Sequence, residues 1–149
     1  MTEKISRRTF TKAGVVSLGL TAANAKRVLG ANDRIRLGFI GVANRGSQLL
    51  TAILQHDDAE VVALCDISQP ILAKAADMVD YKVDRLADFR KLIDRTDIDA
   101  VVIATPDHWH AIQTIDACNA GKDVYVEKPL SVTVHEGRRM VEAAHRNNR

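Results

Sequence analysis

The chain has 149 residues, 46% hydrophobic and 27% charged, enough to bury the core of one α/β domain. Its net charge of +2 is uneven: residues 1–32 carry six Lys/Arg against one Glu, and residues 33–149 carry fifteen against eighteen acids. A mildly acidic body argues against a nucleic-acid partner, and two cysteines, Cys65 and Cys118, read as small buried hydrophobes rather than a disulfide or metal pair.

In chain order, Arg7–Arg8 in S-R-R-T-F-T-K precede an apolar run, Ala13–Ala23, and a small-residue A-x-A at Ala23–Asn24–Ala25. These describe a twin-arginine secretory signal, with Thr11 where the usual pattern has Leu. The run is too short for a stable membrane span. Residues 1–32 are therefore expected to be a signal segment and linker. The twin-arginine translocase would read it and deliver the folded protein to the periplasm or another extracytoplasmic space.

From Arg34 onward short apolar runs alternate with helix-period segments, which predicts βαβ units around a doubly wound parallel sheet over residues 33–149. The first strand is 35–41. It runs into Gly41–Val42–Ala43–Asn44–Arg45–Gly46, a G-x-A-x-x-G turn opening a helix. Gly41 allows the tight turn, Gly46 lets helix and strand approach, and the N–H groups at the helix start face a pyrophosphate. Ala43 replaces the second glycine.

The second strand, 61–66, ends on Asp66, twenty-five residues after Gly41. That is near the spacing of about 20 expected for an acid on a ribose 2′-hydroxyl. An acid there repels a 2′-phosphate, so NAD is favoured over NADP. Ser68 and Pro70 open a helix with Ile71, Leu72, Ala75, Ala76 and Val79 on one face. A short third strand is expected near Tyr81–Val83 and a short helix at Asp88–Arg95.

The fourth strand, 100–106, is wholly apolar and therefore central. Asp107 is expected to cap a helix over 108–120 that buries Ala111, Ile112, Ile115 and Cys118. Thr105 and Pro106 then border the ligand, while Trp109 reads as packing. His108 and His110 are two apart and share no helix face, so no metal pair is read here. The fifth strand, 123–127, delivers Glu127 and Lys128 to the same cleft before Pro129 stops the pairing. Thr133-x-x-Glu136 is a capping box for a last helix facing inward with Gly137, Met140, Val141 and Ala144.

Together "GFIGVANRGSQLL", "VVALCDIS", "DIDAVVIATPDHWHA" and "GKDVYVEKPLS" resemble the N-terminal half of the Gfo/Idh/MocA oxidoreductases, across residues 34–149. The resemblance implies that Gly41, Ala43, Asn44, Arg45 and Gly46 line the pyrophosphate turn and that Asp66 holds the adenosine ribose. Thr105, Pro106 and His110 would lie along the cofactor, with Glu127 near the nicotinamide and Lys128 as the catalytic residue. It also implies a sugar or polyol substrate and hydride transfer to NAD. Members of that family add a second α/β domain carrying the substrate pocket, a further acid–base group and most oligomer contacts. The Rossmann domain is expected to be incomplete at its C-terminal edge, exposing the fifth strand. The chain as given is expected to bind cofactor without turning over a sugar. Two alternatives stand beside this: a glycoside hydrolase of related fold using bound NAD transiently, against which the Glu127–Lys128–Pro129 context weighs, and a non-catalytic NAD-binding module.

Overall fold

The computed structural model describes residues 34–149; the expected signal segment, 1–32, lies outside them. The apolar run I-R-L-G-F-I forms β1 (Ile35–Ile40). It is followed by α1 (Asn44–Ile53), β2 (Ala59–Cys65), α2 (Gln69–Ala76), β3 (Asp84–Leu86), α3 (Phe89–Ile93) and β4 (Ala100–Ile103). A 3-10 turn (Asp107–Trp109), α4 (His110–Asn119), β5 (Asp123–Val126) and α5 (Val134–Asn147) complete the order. All five strands are parallel, arranged β3-β2-β1-β4-β5. Strand order reverses at β1 and β4, where ligands of doubly wound folds gather. The expected α/β fold class holds.

Strand alternation splits the core between two faces. Leu37 and Phe39 of β1 meet Leu50 of α1 and Leu72 and Ala75 of α2. Ile40 points the other way, into a cluster with Phe89, Leu92 and Ile93 of α3 and Ala117 of α4. Gly38 shares that second side, where a Cβ would sit 2.5 Å from Leu92 Cδ2. The β1–β2 register passes from Leu37↔Val61 to Gly38↔Ala63, so Val62 is an extra residue. The bulge lets Val62 and Ala63 both join the α3–α4 side.

At the N-terminal end of the strands, opposite the glycine turn, the charges serve the fold. Arg95 donates to Asp97 at 2.8 and 2.7 Å and to Asp84 at 2.6 Å, and Arg36 adds a bond of 3.1 Å to Asp97. Arg95 holds the Asp97 carboxyl down to about 2. Buried Lys122 ties the same corner by donating to the carbonyls of Arg95 and Ile98.

Four expectations are corrected. The third strand is Asp84–Leu86, not Tyr81–Val83. Tyr81 instead uses its hydroxyl to accept the Val61 N–H at 2.9 Å, at the unpaired margin of β2. Asp107 does not cap α4; it begins the 3-10 turn, and its Oδ1 accepts from the His108 N–H. Ile112 is exposed, because α4 turns His110, Gln113 and Thr114 inward as well as Ala111, Ala117 and Cys118. On α5, Met140 and Ala143 are buried while Val141 is exposed. The capping box forms as expected: Thr133 Oγ1 accepts from Glu136 N and Glu136 Oε2 from Thr133 N. In the described residues β5 pairs only with β4, so one edge stays open.

Candidate cofactor site

Parallel strands bring their C-terminal ends to one rim. There the turns after β1, β2, β3 and β4 enclose a cavity of about 670 Å³, lined among others by Gly41, Ala43, Asp66, Asp88, Thr105 and Pro106. Its size lies within the usual range for small-ligand sites.

The glycine turn is fixed by contact as well as by dihedral angle. Gly41 has φ +84°, and a Cβ there would meet the Ala104 carbonyl and Thr105 N at 2.9 Å. A Cβ on Gly46 would run into the Gly41 carbonyl oxygen. Neither position admits a side chain without moving backbone. Ala43 is the N-cap of α1 and offers no side-chain cap, and the first turn holds no acid. The first N–H groups of the helix are thus left to an anion, which the helix dipole also favours. Ala43 lines the cavity here, so the alanine variant of the fingerprint leaves the phosphate approach open.

Asp66 is oriented before any ligand arrives. Its Oδ2 accepts the Val42 N–H at 3.1 Å and its Oδ1 the Ser68 N–H at 2.9 Å. Each oxygen keeps a further lone pair for a ribose hydroxyl. Among the described residues that line the cavity, Arg90 is the one cation. It lies 4.7 Å over the Phe89 ring and bonds Asp88 at 3.3 Å, so its charge is already paired. Two acids against one paired Arg suit a ribose bearing free hydroxyls and disfavour a 2′-phosphate. The residues therefore fit NAD. Cys65 also reaches the wall, where burial and then Asp66 and Asp88 push its thiol up to about 12; it is no nucleophile at neutral pH.

The remaining candidate residues divide. Thr105 and Pro106 line the cavity; Asn44 and Gly46 sit beside it in the first turn of α1. Arg45 and Glu127 are drawn to one another: Arg45 Nε donates to Glu127 Oε1 at 2.8 Å. Glu127 is buried and also accepts from Tyr125 Oη and from the Lys128 N–H. The hydrogen bond from Arg45, then that from Lys128 N, holds the Glu127 carboxyl low, while Glu127 holds the Arg45 guanidinium up. His110 is only 1% exposed and lines no part of the cavity. Its Nε2 lies 2.7 Å from the Thr105 carbonyl oxygen and its Nδ1 2.8 Å from that of Pro129. Lys128 is exposed where β5 ends, with no side-chain partner among the described residues. The peptide that follows it, Lys128–Pro129, is cis.

Sequence reasoning missed Gln113, Ile67 and Ile71. Gln113 is buried, accepts from Thr105 Oγ1 at 2.7 Å and reaches the cavity. Ile67, 90% exposed, and Ile71 form an apolar lip on the Asp66 side. An isolated isoleucine in a turn between Asp66 and Ser68 was the available signal. Trp109, read as packing, does pack edge-on against Phe89 with centroids 6.3 Å apart, and it also lines the cavity.

A glycine turn at the switch point, an uncapped helix start and a ribose-facing acid define a dinucleotide-binding Rossmann domain. Residues 35–149 match the family model described as "Oxidoreductase family, NAD-binding Rossmann fold" (GFO_IDH_MocA), and the chain belongs to that family. It is 33% identical to glycosyl hydrolase family 109 protein 1 of a Shewanella species, over 97% of this chain and 38% of the relative. The same figures hold for an α-N-acetylgalactosaminidase of Shewanella oneidensis. Among solved structures, the WlbA dehydrogenase of Bordetella pertussis, in complex with NADH and UDP-GlcNAcA, superposes with a TM-score of 0.72 at 31% identity. That match covers 77% of this chain and 35% of the dehydrogenase. The apo scyllo-inositol dehydrogenase of Lactobacillus casei gives 0.73 at 26% identity, covering 78% and 34%. This chain thus spans less than two-fifths of the length of these relatives.

Proposed function

We propose that the chain is the cofactor-binding part of an exported NAD-dependent oxidoreductase that moves hydride between a sugar or polyol hydroxyl and nicotinamide. Lys128 carries the reading. Glu127 N–H bonds the Ile103 carbonyl at 2.9 Å, which ties the end of β5 to β4 just before the Thr105 wall of the cavity. An exposed ammonium follows at once. NAD, when bound, supplies the hydride acceptor. Lys128 hydrogen-bonds the reacting oxygen and stabilises its negative charge as the hydroxyl proton passes to a second acid–base group; that charge collapses into the new carbonyl as hydride leaves the carbon. Asp66 and the turn from Gly41 to Gly46 hold the other end of the dinucleotide. The substrate pocket, a second acid–base group and the contacts of a homo-oligomer are proposed to lie in the rest of a protein as long as its relatives.

Support for the substrate class comes from the dehydrogenases of similar structure, whose ligand or substrate is a nucleotide sugar or an inositol. For export, the support is the Arg7–Arg8 pattern with the apolar run Ala13–Ala23 and the small-residue Ala23–Asn24–Ala25 that follow it. Replacing Arg7 and Arg8 by Lys should retain the protein in the cytoplasm; unaltered periplasmic yield would remove the translocase as a partner. The Shewanella relatives named as family 109 hydrolases favour a second reading, in which NAD stays bound and a glycosidic bond is cleaved. Assaying the full-length enzyme on sugars, polyols and aryl glycosides separates the two. Net NADH on a sugar or polyol supports the dehydrogenase, and aryl glycoside cleavage without net NADH supports the hydrolase.

A further inference from the structure

The inward face of α4 is unusual for a helix packed on a sheet, because His110, Gln113 and Thr114 are all buried on it. A helix that only fills the core would put apolar residues there. Two of the three side chains reach the loops at the ends of β4 and β5. Gln113 Oε1 accepts from Thr105 Oγ1 at 2.7 Å. The His110 ring lies between two main-chain acceptors, the Thr105 carbonyl at 2.7 Å and the Pro129 carbonyl at 2.8 Å. A ring nitrogen that carries its proton donates to the carbonyl it faces, and the tautomer decides which. Thr105 walls the cofactor cavity, and Pro129 is bonded to Lys128.

We infer that His110 is a positioning residue for Lys128: by clasping the Thr105 and Pro129 carbonyls, it locks the lysine-bearing loop to the wall that borders the cofactor. This assigns His110 a place behind the site, where contact with the cofactor itself is not needed. The inference rests on the reading of Lys128 given above. Glu127 secures the other side of the same residue, accepting the Lys128 N–H at 3.1 Å while held by Arg45. The main chain is therefore gripped on both sides of Lys128, while its side chain stays exposed. The clasp joins neighbouring strands at the sheet's open side, where β5 has no second partner among the described residues.

The test is competitive lysine acylation of the chain, read by mass spectrometry with and without saturating NAD. In the wild type, NAD should slow labelling of Lys128. Lys74, exposed on α2, should be indifferent, and buried Lys122 should stay unlabelled. His110→Phe keeps a ring and removes the nitrogens that face the two carbonyls. Its NAD protection of Lys128 should fall about tenfold, the effect of one lost hydrogen bond, with Lys122 still unlabelled and NAD affinity within about threefold of wild type. His110→Gln retains one donor and should fall between the two; it is the variant read if Phe does not fold. Undiminished protection in folded variants would overturn the inference. So would labelling of Lys122 in step with Lys128 in the Gln variant, since the effect would then be general unfolding. Absence of NAD protection in the wild type would instead overturn the reading of Lys128 and the inference with it.

Discussion

Replacing Asp66 by Ala separates two roles that one carboxylate combines. The first is local: Asp66 accepts the Val42 N–H at 3.1 Å and the Ser68 N–H at 2.9 Å, joining the glycine turn to the turn after β2. Hydrogen bonds to a charged acceptor contribute about 1.5–3 kcal/mol each when no water replaces them. Asp66 is half-buried on an open cavity, so water takes up part of that loss, leaving about 1.5–3 kcal/mol for the pair. In a domain of this size that lowers Tm by roughly 5–10 °C. The second role is binding. Losing one or two hydrogen bonds to ribose hydroxyls costs a similar amount again, so the Kd for NAD should rise roughly 10- to 100-fold. Calorimetric titration with NAD and NADP, beside thermal unfolding, reads both. Loss of the acid should also narrow the preference for NAD, because repulsion of the 2′-phosphate goes with it. A lower Tm with an unchanged Kd would make Asp66 a turn fastener only and refute the ribose assignment.

Two further outcomes follow from the packing and the charges. Gly46→Ala drives a methyl group into the Gly41 carbonyl, backbone that cannot step aside; a cost of about 1–3 kcal/mol and a weakened NAD site are expected. Wild-type Tm and Kd in that variant would show the turn to be slacker than described. Asp97 is held to about 2, chiefly by hydrogen bonds from Arg95, below its ordinary 3.8. Its contribution is therefore complete above about pH 4 and disappears as pH falls towards 2. The Tm difference between wild type and Asp97→Asn should be flat near neutrality and shrink across that window; a difference independent of pH would contradict it.

What could be read from sequence follows the range of each interaction. The G-x-A-x-x-G turn, Asp66 and the Glu127–Lys128–Pro129 stop are short patterns with fixed places on a βαβ frame, so residue spacing reveals them. The Arg45–Glu127 pair bridges 82 positions and has no local trace. The third strand lies later than its apolar signal, which Tyr81 and Val83 carry, because Asp84–Leu86 owes its pairing to Ala63–Cys65. On α4, hydropathy points Ile112 inward, whereas the structure leaves Ile112 exposed and buries His110. The carbonyls of Thr105 and Pro129 supply partners that make burying His110 favourable, and the helix turns accordingly. Polar residues that satisfy main chain elsewhere in the fold look like surface until the fold is known.

If Lys128 works on the reacting oxygen as proposed, its loss must slow the chemistry and leave the dinucleotide bound. The decisive assay is NADH formation by full-length Lys128→Ala on a sugar or polyol oxidised by the wild type, with NAD saturating. Turnover should fall by about 10²- to 10⁴-fold, the range for losing a positioned acid–base group, while NAD affinity stays near wild type. Undiminished NADH formation would remove Lys128 from the chemistry.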